Sequence, residues 1–245
     1  LDSIMQSIDL FDTLTIERAS EITVTCTGML LPYDNTVRRA AERYRALTGR
    51  GANIRVTKRI PAEAGMGGGS ADAAAALIGM QKLYGEVDEK TLFEIGASVG
   101  ADVPFCMRGG LQRAEGIGEA LTPLNGPKLF FVVAKPAGGV STKKLFSMLK
   151  LPREMPDTAG CMRALAENDA KALAPLLFNA LEEPACELVP EIAEAKRGLL
   201  EAGALAASMT GSGSAVFGLF LTREQAEEAL PKVGEYPFVR VCESV

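Results

Sequence analysis

The stretch "IPAEAGMGGGSADAAAALIGM", residues 60 to 80, constrains the fold more than any other. Glycine lets the backbone take positive φ and bring its N–H groups close to a ligand. Gly65, Gly67, Gly68 and Gly69 stand directly before an alanine-rich segment that reads as a helix from Ser70 to Tyr84, stopped by Gly85. Such a helix aims its first unpaired N–H groups, and the positive end of its dipole, at whatever the loop holds. A phosphate suits that position, with Ser70 expected at the N-cap, its hydroxyl offered to a phosphate or to magnesium. The alternative is a glycine turn before a buried helix, with no ligand.

Two familiar phosphate loops do not match. A Walker A loop ends in Gly-Lys-Ser/Thr, and no lysine follows Gly67 here. A dinucleotide fingerprint needs an acidic residue ending the next strand, whereas Asp88 to Val99 reads as a second helix.

Elsewhere, "DSIMQSIDLFDTLTIE" and "SEITVTCTG" alternate apolar and polar residues like half-buried strands. In the second, Ile22, Val24 and Cys26 share one face. Asn35 precedes a helical stripe of Val37, Ala41, Tyr44 and Leu47 that ends at Gly49. "NIRVTKRI", "KLFFVVAKP" and "FVRVCES" read as strands, and "GIGE" at 116–119 as a hairpin turn. Ser141 or Thr142 is a plausible N-cap for "STKKLFSMLK". Residues 152–205 read as mostly helical, "AASMTGSGSAVFGLFL" as a glycine loop leading into a strand, and a helix follows from Thr222. This mixture predicts an α+β fold of two domains, 1–134 and 135–245.

Of the 245 residues 47% are hydrophobic and 23% charged, enough for a sizeable core. A net charge of −5 argues against a nucleic-acid binder, which needs a basic face. No apolar run reaches the roughly 18 residues of a membrane span, and the first residues lack the basic and apolar regions of a signal peptide. With five scattered cysteines and no CxxC pair, buried reduced thiols in a cytoplasmic protein are expected. The chain has no histidine, so it can build neither a histidine triad nor a histidine metal site.

"KRIPAEAGMGGGSADAAAAL" resembles the nucleotide loop of the galactokinase, homoserine kinase, mevalonate kinase and phosphomevalonate kinase superfamily. "MQSIDLFDTLTIE", "GADVPFCMRGGLQRAEGIGE", "KPAGGVSTKKLF" and "MTGSGSAVF" extend the resemblance along nearly the whole chain. They are most similar to the branch acting on a cytidine-diphosphate-linked sugar alcohol in non-mevalonate isoprenoid synthesis.

The resemblance implies a two-domain small-molecule kinase, with nucleotide and substrate in the cleft between domains, that uses ATP and Mg²⁺. It implies no protein metal site, no nucleic-acid partner and no membrane. Asp102, in "GADVPF", matches the catalytic base facing the acceptor hydroxyl. The phosphate loop maps onto Pro61, Ala62, Glu63, Ala64, Gly65, Met66, Gly67, Gly68, Gly69, Ser70 and Ala71, where relatives often carry a second serine in place of Ala71. Asn35 and Lys58 match the adenine-pocket lining; a helix N-cap and a solvated strand lysine are their simpler readings. Phe146 matches the aromatic that stacks on cytosine, as against a core phenylalanine. Thr142, Thr210, Gly211 and Gly213 match the substrate side, the last three in a loop closing on the diphosphate.

The family also has an opening "AKINL" strand, whose lysine assists the aspartate, and a "GYH" turn for cytosine. Neither occurs in these residues, which implies a longer parent protein and weak nucleotide binding by this stretch alone. The alternatives are a homoserine- or mevalonate-type kinase and a non-catalytic nucleotide-binding protein.

Overall fold

A computed structural model describes residues 1–149 and 156–245. The chain divides into two compact units, the first comprising Leu1–Met5, Leu10–Ile60 and Gly67–Thr122, and the second Gln6–Asp9, Pro61–Met66 and Pro123–Val245.

The first unit carries β1 (Asp2–Gln6), β2 (Thr13–Ala19), β3 (Thr23–Thr27), α1 (Thr36–Thr48), β4 (Gly51–Thr57), α2 (Gly68–Tyr84), α3 (Glu89–Val99), α4 (Val103–Arg108), β5 (Leu111–Glu115) and β6 (Ala120–Pro123). Strands β2, β4 and β3 form one sheet, with β2–β4 antiparallel and β3–β4 parallel. Ile54 of β4 lies opposite Ile16 on one side and Val24 on the other, giving the sheet an apolar face. Helix α2 packs against β2, β4, α1, α3 and α4. Its alanines suit that crowding, since Ala73, Ala74 and Ala76 are buried without needing space.

Local signals set most helix ends. Asn35 accepts the Arg38 N–H at the start of α1, and Gly49 closes it with a φ of 73°. Asp88 caps α3 in the same way. The buried stripe of α1 is Val37, Ala40, Ala41 and Tyr44, whereas Leu47, expected inside, is exposed. Helical period carries the stripe from Tyr44 to position 48, where Thr48 bonds back to the Tyr44 carbonyl.

The alternating opening stretch forms two strands in different sheets, because β1 pairs with β5, in a sheet of order β1-β5-β6. Between them Leu10 is buried and Phe11 exposed, and Asp12 turns its carboxylate to the backbone N–H groups of Arg59 and Ile60.

The second unit carries β7 (Phe130–Lys135), α5 (Thr142–Met148), α6 (Thr158–Ala166), α7 (Ala170–Leu173), α8 (Glu182–Leu188), α9 (Glu191–Glu201), β8 (Ala206–Met209), β9 (Val216–Phe220), α10 (Arg223–Ala229) and β10 (Phe238–Glu243). Its sheet runs β10-β7-β9-β8, antiparallel throughout. Val132, Ala134, Val216 and Phe220 share a core with Ile192, Ala195 and Leu199 of α9 and Ala226 of α10. Strand β7 sits with its sheet partners, so the second unit begins before the expected boundary at 134/135. The expected helical stretch 152–205 lies partly outside the described residues; α6 to α9 occupy the remainder. All five cysteines are free, although only Cys242 is fully buried.

Candidate active site

The structure places the helix end two residues earlier than expected. Gly67, at φ 66°, is the N-cap of α2, and Ser70 lies in the first turn. The left-handed entry that Gly67 allows, open to few other residues, makes the difference. No side chain caps this end, so the N–H groups of Gly68, Gly69 and Ser70 remain offered outward. Thr36 of α1 fixes the turn by donating to the Gly69 carbonyl at 2.6 Å. At Gly68 a Cβ would lie 2.9 Å from Ile60 Cγ2 and 3.4 Å from Lys58 Nζ, so the chain entering the loop leaves no room for a side chain there.

Asp102 precedes α4, and its side chain makes no capping bond. Burial alone holds its pKa above the ordinary carboxylate value. Within the same unit a Cβ on Gly118, in the β5–β6 turn, would come within 3.8 Å of Asp102 Oδ1. Cys106, one helical turn beyond Asp102, marks how near the acids lie to α2. Burial pushes its thiol up to about 12, and the charges of Asp102 and Asp72 add to that rise. A Cβ on Gly67 would lie 4.0 Å from its sulfur. The charges of Asp102 and Asp72 are thus both felt at a thiol that lies against the mouth of α2.

Lys58 is not the solvated strand lysine of its simpler reading. Its ammonium is paired with Asp12 and, at 2.7 Å, with Asp72 Oδ2. The Asp12 and Asp72 side chains are 3% and 4% exposed, so the three charges form a buried cluster. Burial by itself would raise Asp12; the Arg59 and Ile60 N–H groups and Lys58 hold it below its usual value. Burial raises Asp72 to about 6 against the opposing pull of Lys58. Burial would lower Lys58, yet its two carboxylates hold it above the ordinary value. Asn35 is likewise engaged, accepting from Arg38 and donating to the Pro32 carbonyl.

In the second unit, residues 61–66 lie on the other glycine loop. Glu63 and Ala64 carbonyls accept the Ser214 and Ala215 N–H groups, and Thr210 Oγ1 donates to the Gly65 carbonyl at 3.1 Å. A Cβ on Gly65 would sit 2.1 Å from the Thr210 carbonyl oxygen, so only glycine permits this approach. Gly211 and Gly213 both take positive φ. Thr142, first residue of α5, shares a hydrogen bond of 2.8 Å with Ser212. Phe146 is 48% exposed while its neighbour Leu145 is fully buried, so Phe146 is not the core residue of α5.

Three residues shaping these loops escaped the sequence reading. Asp12 is one. Asn179 donates to the Met209 and Gly211 carbonyls, both at 2.8 Å, and Glu182 accepts the Met209 N–H at 2.8 Å. The cluster "FNALEE" carried a signal, since polar residues flanking a partly buried leucine need partners.

Comparison with known proteins matches the described geometry to a family. Residues 35–110 match the GHMP kinases N terminal domain and residues 161–237 the GHMP kinases C terminal domain. The 4-diphosphocytidyl-2-C-methyl-D-erythritol kinase of Carboxydothermus hydrogenoformans is 42% identical over 237 residues, covering 92% of this chain and 82% of the relative. Its counterpart in Desulfitobacterium hafniense is 43% identical, covering 93% and 81%. A crystal structure of 4-(cytidine 5'-diphospho)-2C-methyl-D-erythritol kinase superposes with a TM-score of 0.83 at 33% identity, over 99% of this chain and 89% of the other. The chain belongs to the 4-diphosphocytidyl-2-C-methyl-D-erythritol kinases, within the GHMP kinase family.

Proposed function

We propose that this kinase transfers the terminal phosphoryl group of ATP to the 2-hydroxyl of 4-diphosphocytidyl-2-C-methyl-D-erythritol, in the non-mevalonate route to isoprenoids. The observation carrying the reading is the uncapped, glycine-led end of α2, together with an Asp102 carboxylate that caps nothing at the start of α4. Phosphoryl transfer asks a protein chiefly for positioning and for stabilisation of charge on the transferred group. The N–H groups of Gly68, Gly69 and Ser70, with the helix dipole behind them, supply both to the phosphates.

Asp102 takes the proton of the acceptor hydroxyl. Its raised pKa suits that role, because a carboxylate less content as an anion is a better proton acceptor. Phe146 offers an exposed aromatic face to the cytosine ring. The first unit handles the nucleotide, and the loop of Thr210, Gly211 and Gly213 handles the substrate diphosphate.

The residues also fit Mg²⁺, which usually binds through one or two carboxylates and substrate phosphates. Asp72 Oδ1 is buried with no hydrogen-bond partner among the described residues, and Ser70 precedes it by two residues on α2. No group of three acidic, cysteine or histidine side chains suited to a metal occurs among the described residues. An ion bound together with the nucleotide would neutralise phosphate charge there.

A substrate panel with ADP release coupled to a chromogenic readout tests the reading. Turnover is expected with 4-diphosphocytidyl-2-C-methyl-D-erythritol and not with homoserine or mevalonate. Asp102→Asn should lower kcat at least about a hundredfold, with ATP affinity within twofold of wild type. Turnover of homoserine or mevalonate would overturn the substrate assignment, and full activity in Asp102→Asn would remove the residue from the chemistry.

A further inference from the structure

We propose that Asp12 is a positioning residue that sets the phosphate loop through Lys58. The idea rests on the kinase reading above. The loop leaves the first unit after Ile60 and returns at Gly67. Asp12 lies far away in sequence, between β1 and β2, yet holds the outgoing limb directly. Its Oδ1 accepts the Arg59 N–H at 2.5 Å and the Ile60 N–H at 2.9 Å. Through Oδ2 it pairs with the Lys58 ammonium, which grips Asp72 Oδ2 on the returning limb at 2.7 Å.

Both limbs are thereby tied by one buried ammonium between two carboxylates. The tie also sets the spacing at the mouth of α2, since Gly68 lies against Ile60 and Lys58 with no space for a side chain. A helix end can grip phosphate only if its first N–H groups converge on one point. Asp12 touches no substrate in this account. It fixes the separation of the two limbs, and so the direction in which Gly68, Gly69 and Ser70 present their N–H groups.

Asp12→Asn isolates this effect. Asparagine keeps an oxygen for the Arg59 and Ile60 N–H groups but replaces the oxygen facing Lys58 with an NH₂ donor. Losing one charge-assisted hydrogen bond corresponds to about a tenfold change in binding. The assay is steady-state kinetics against both substrates, with ADP binding measured separately by titration calorimetry.

The expected result is a KM for ATP and a Kd for ADP each raised about tenfold, a KM for the cytidylyl substrate within twofold, and kcat within threefold. A variant equal to wild type in ADP affinity overturns the proposal and leaves the kinase reading intact. Parallel rises in both KM values also overturn it, since general loosening would not select the nucleotide. A wild-type protein that binds no ADP and turns nothing over would bring down the kinase reading as well.

If the variant does not fold, hydrogen exchange on the wild type decides. The Arg59 and Ile60 amides, held by Asp12, are expected to be protected without nucleotide. Exchange at unprotected rates would overturn the proposal.

Discussion

Replacing Lys58 with methionine should destabilise the protein by an amount that depends on pH. Methionine keeps a flexible apolar stem of similar length and deletes only the ammonium. It leaves Asp12 and Asp72, with side chains 3% and 4% exposed, facing one another with no cation between them. Removing one partner from a buried ion pair costs about 3–5 kcal/mol. For a chain of this length each kcal/mol lowers Tm by about 2–4 °C. A fall of about 10 °C at pH 7.5 follows.

Asp72 sets the pH dependence. Its folded pKa of about 6 stands above the ordinary 3.8 of a free aspartate. The folded state therefore holds that proton more tightly than the unfolded chain does. Its contribution is complete below about pH 4 and fades as pH rises towards 6. Without Lys58 the folded pKa of Asp72 climbs further, and the fading extends to higher pH. At pH 5 Asp72 is mostly neutral in both proteins, so the variant loses little there through that residue. Asp12 behaves oppositely: its pKa is lowered, and the Arg59 and Ile60 N–H groups still support its charge.

The difference in Tm at pH 5.0 should therefore be less than about half of that at pH 7.5. Thermal melts followed by far-UV circular dichroism measure both, as the chain has no tryptophan to report by fluorescence. Equal losses at the two pH values, or a loss below about 2 °C at pH 7.5, would refute the picture of a buried cluster whose charge balance depends on Lys58.

Two further outcomes follow from the geometry. Phe146→Ala should raise the KM for the cytidylyl substrate about tenfold, as loss of a base stack does, with the KM for ATP unchanged; equal effects on the two would end the stacking role. Gly51→Ala should cost about 1–3 kcal/mol in chemical denaturation, because the new Cβ would lie 2.6 Å from the Ser20 carbonyl carbon, and backbone cannot swing aside as a side-chain tip can. A neutral or stabilising result would mean that the β2–β3 turn gives way more readily than its packing indicates.

What could be read from sequence was mostly what neighbours decide. Asn35 and Gly49 bound α1, Asp88 opens α3, and Thr222 opens α10, each through contacts within a few residues. The glycine entry to α2 was legible for the same reason, since glycines before an alanine-rich helix act locally. Its division between two units was not, because nothing within residues 60–71 records that Gly65 meets Thr210 and Gly213. The start of the second unit at Pro123 was not legible for a similar cause: β7 belongs where β9 and β10 pair with it, and those strands come more than eighty residues later.

Lys58 shows how such a partnership could have been inferred. In "SADAAAAL" one acid interrupts a run of small apolar residues, and an acid inside a buried helix must be paired or neutralised. The lysine just before the loop is a cation placed at the end of a strand, near the loop's entry. A second acid, Asp12, breaks the alternation of "DLFDTL" between two strands. Each is a solvated surface charge when read alone. Taken together, two acids with apolar neighbours and one lysine ahead of a loop that must be held open describe a buried cluster, which the folded chain assembles from residues 46 and 14 positions apart. An isolated charge in an apolar run is thus the sequence signal for a long-range contact, because its desolvation cost compels a partner that local pattern does not name.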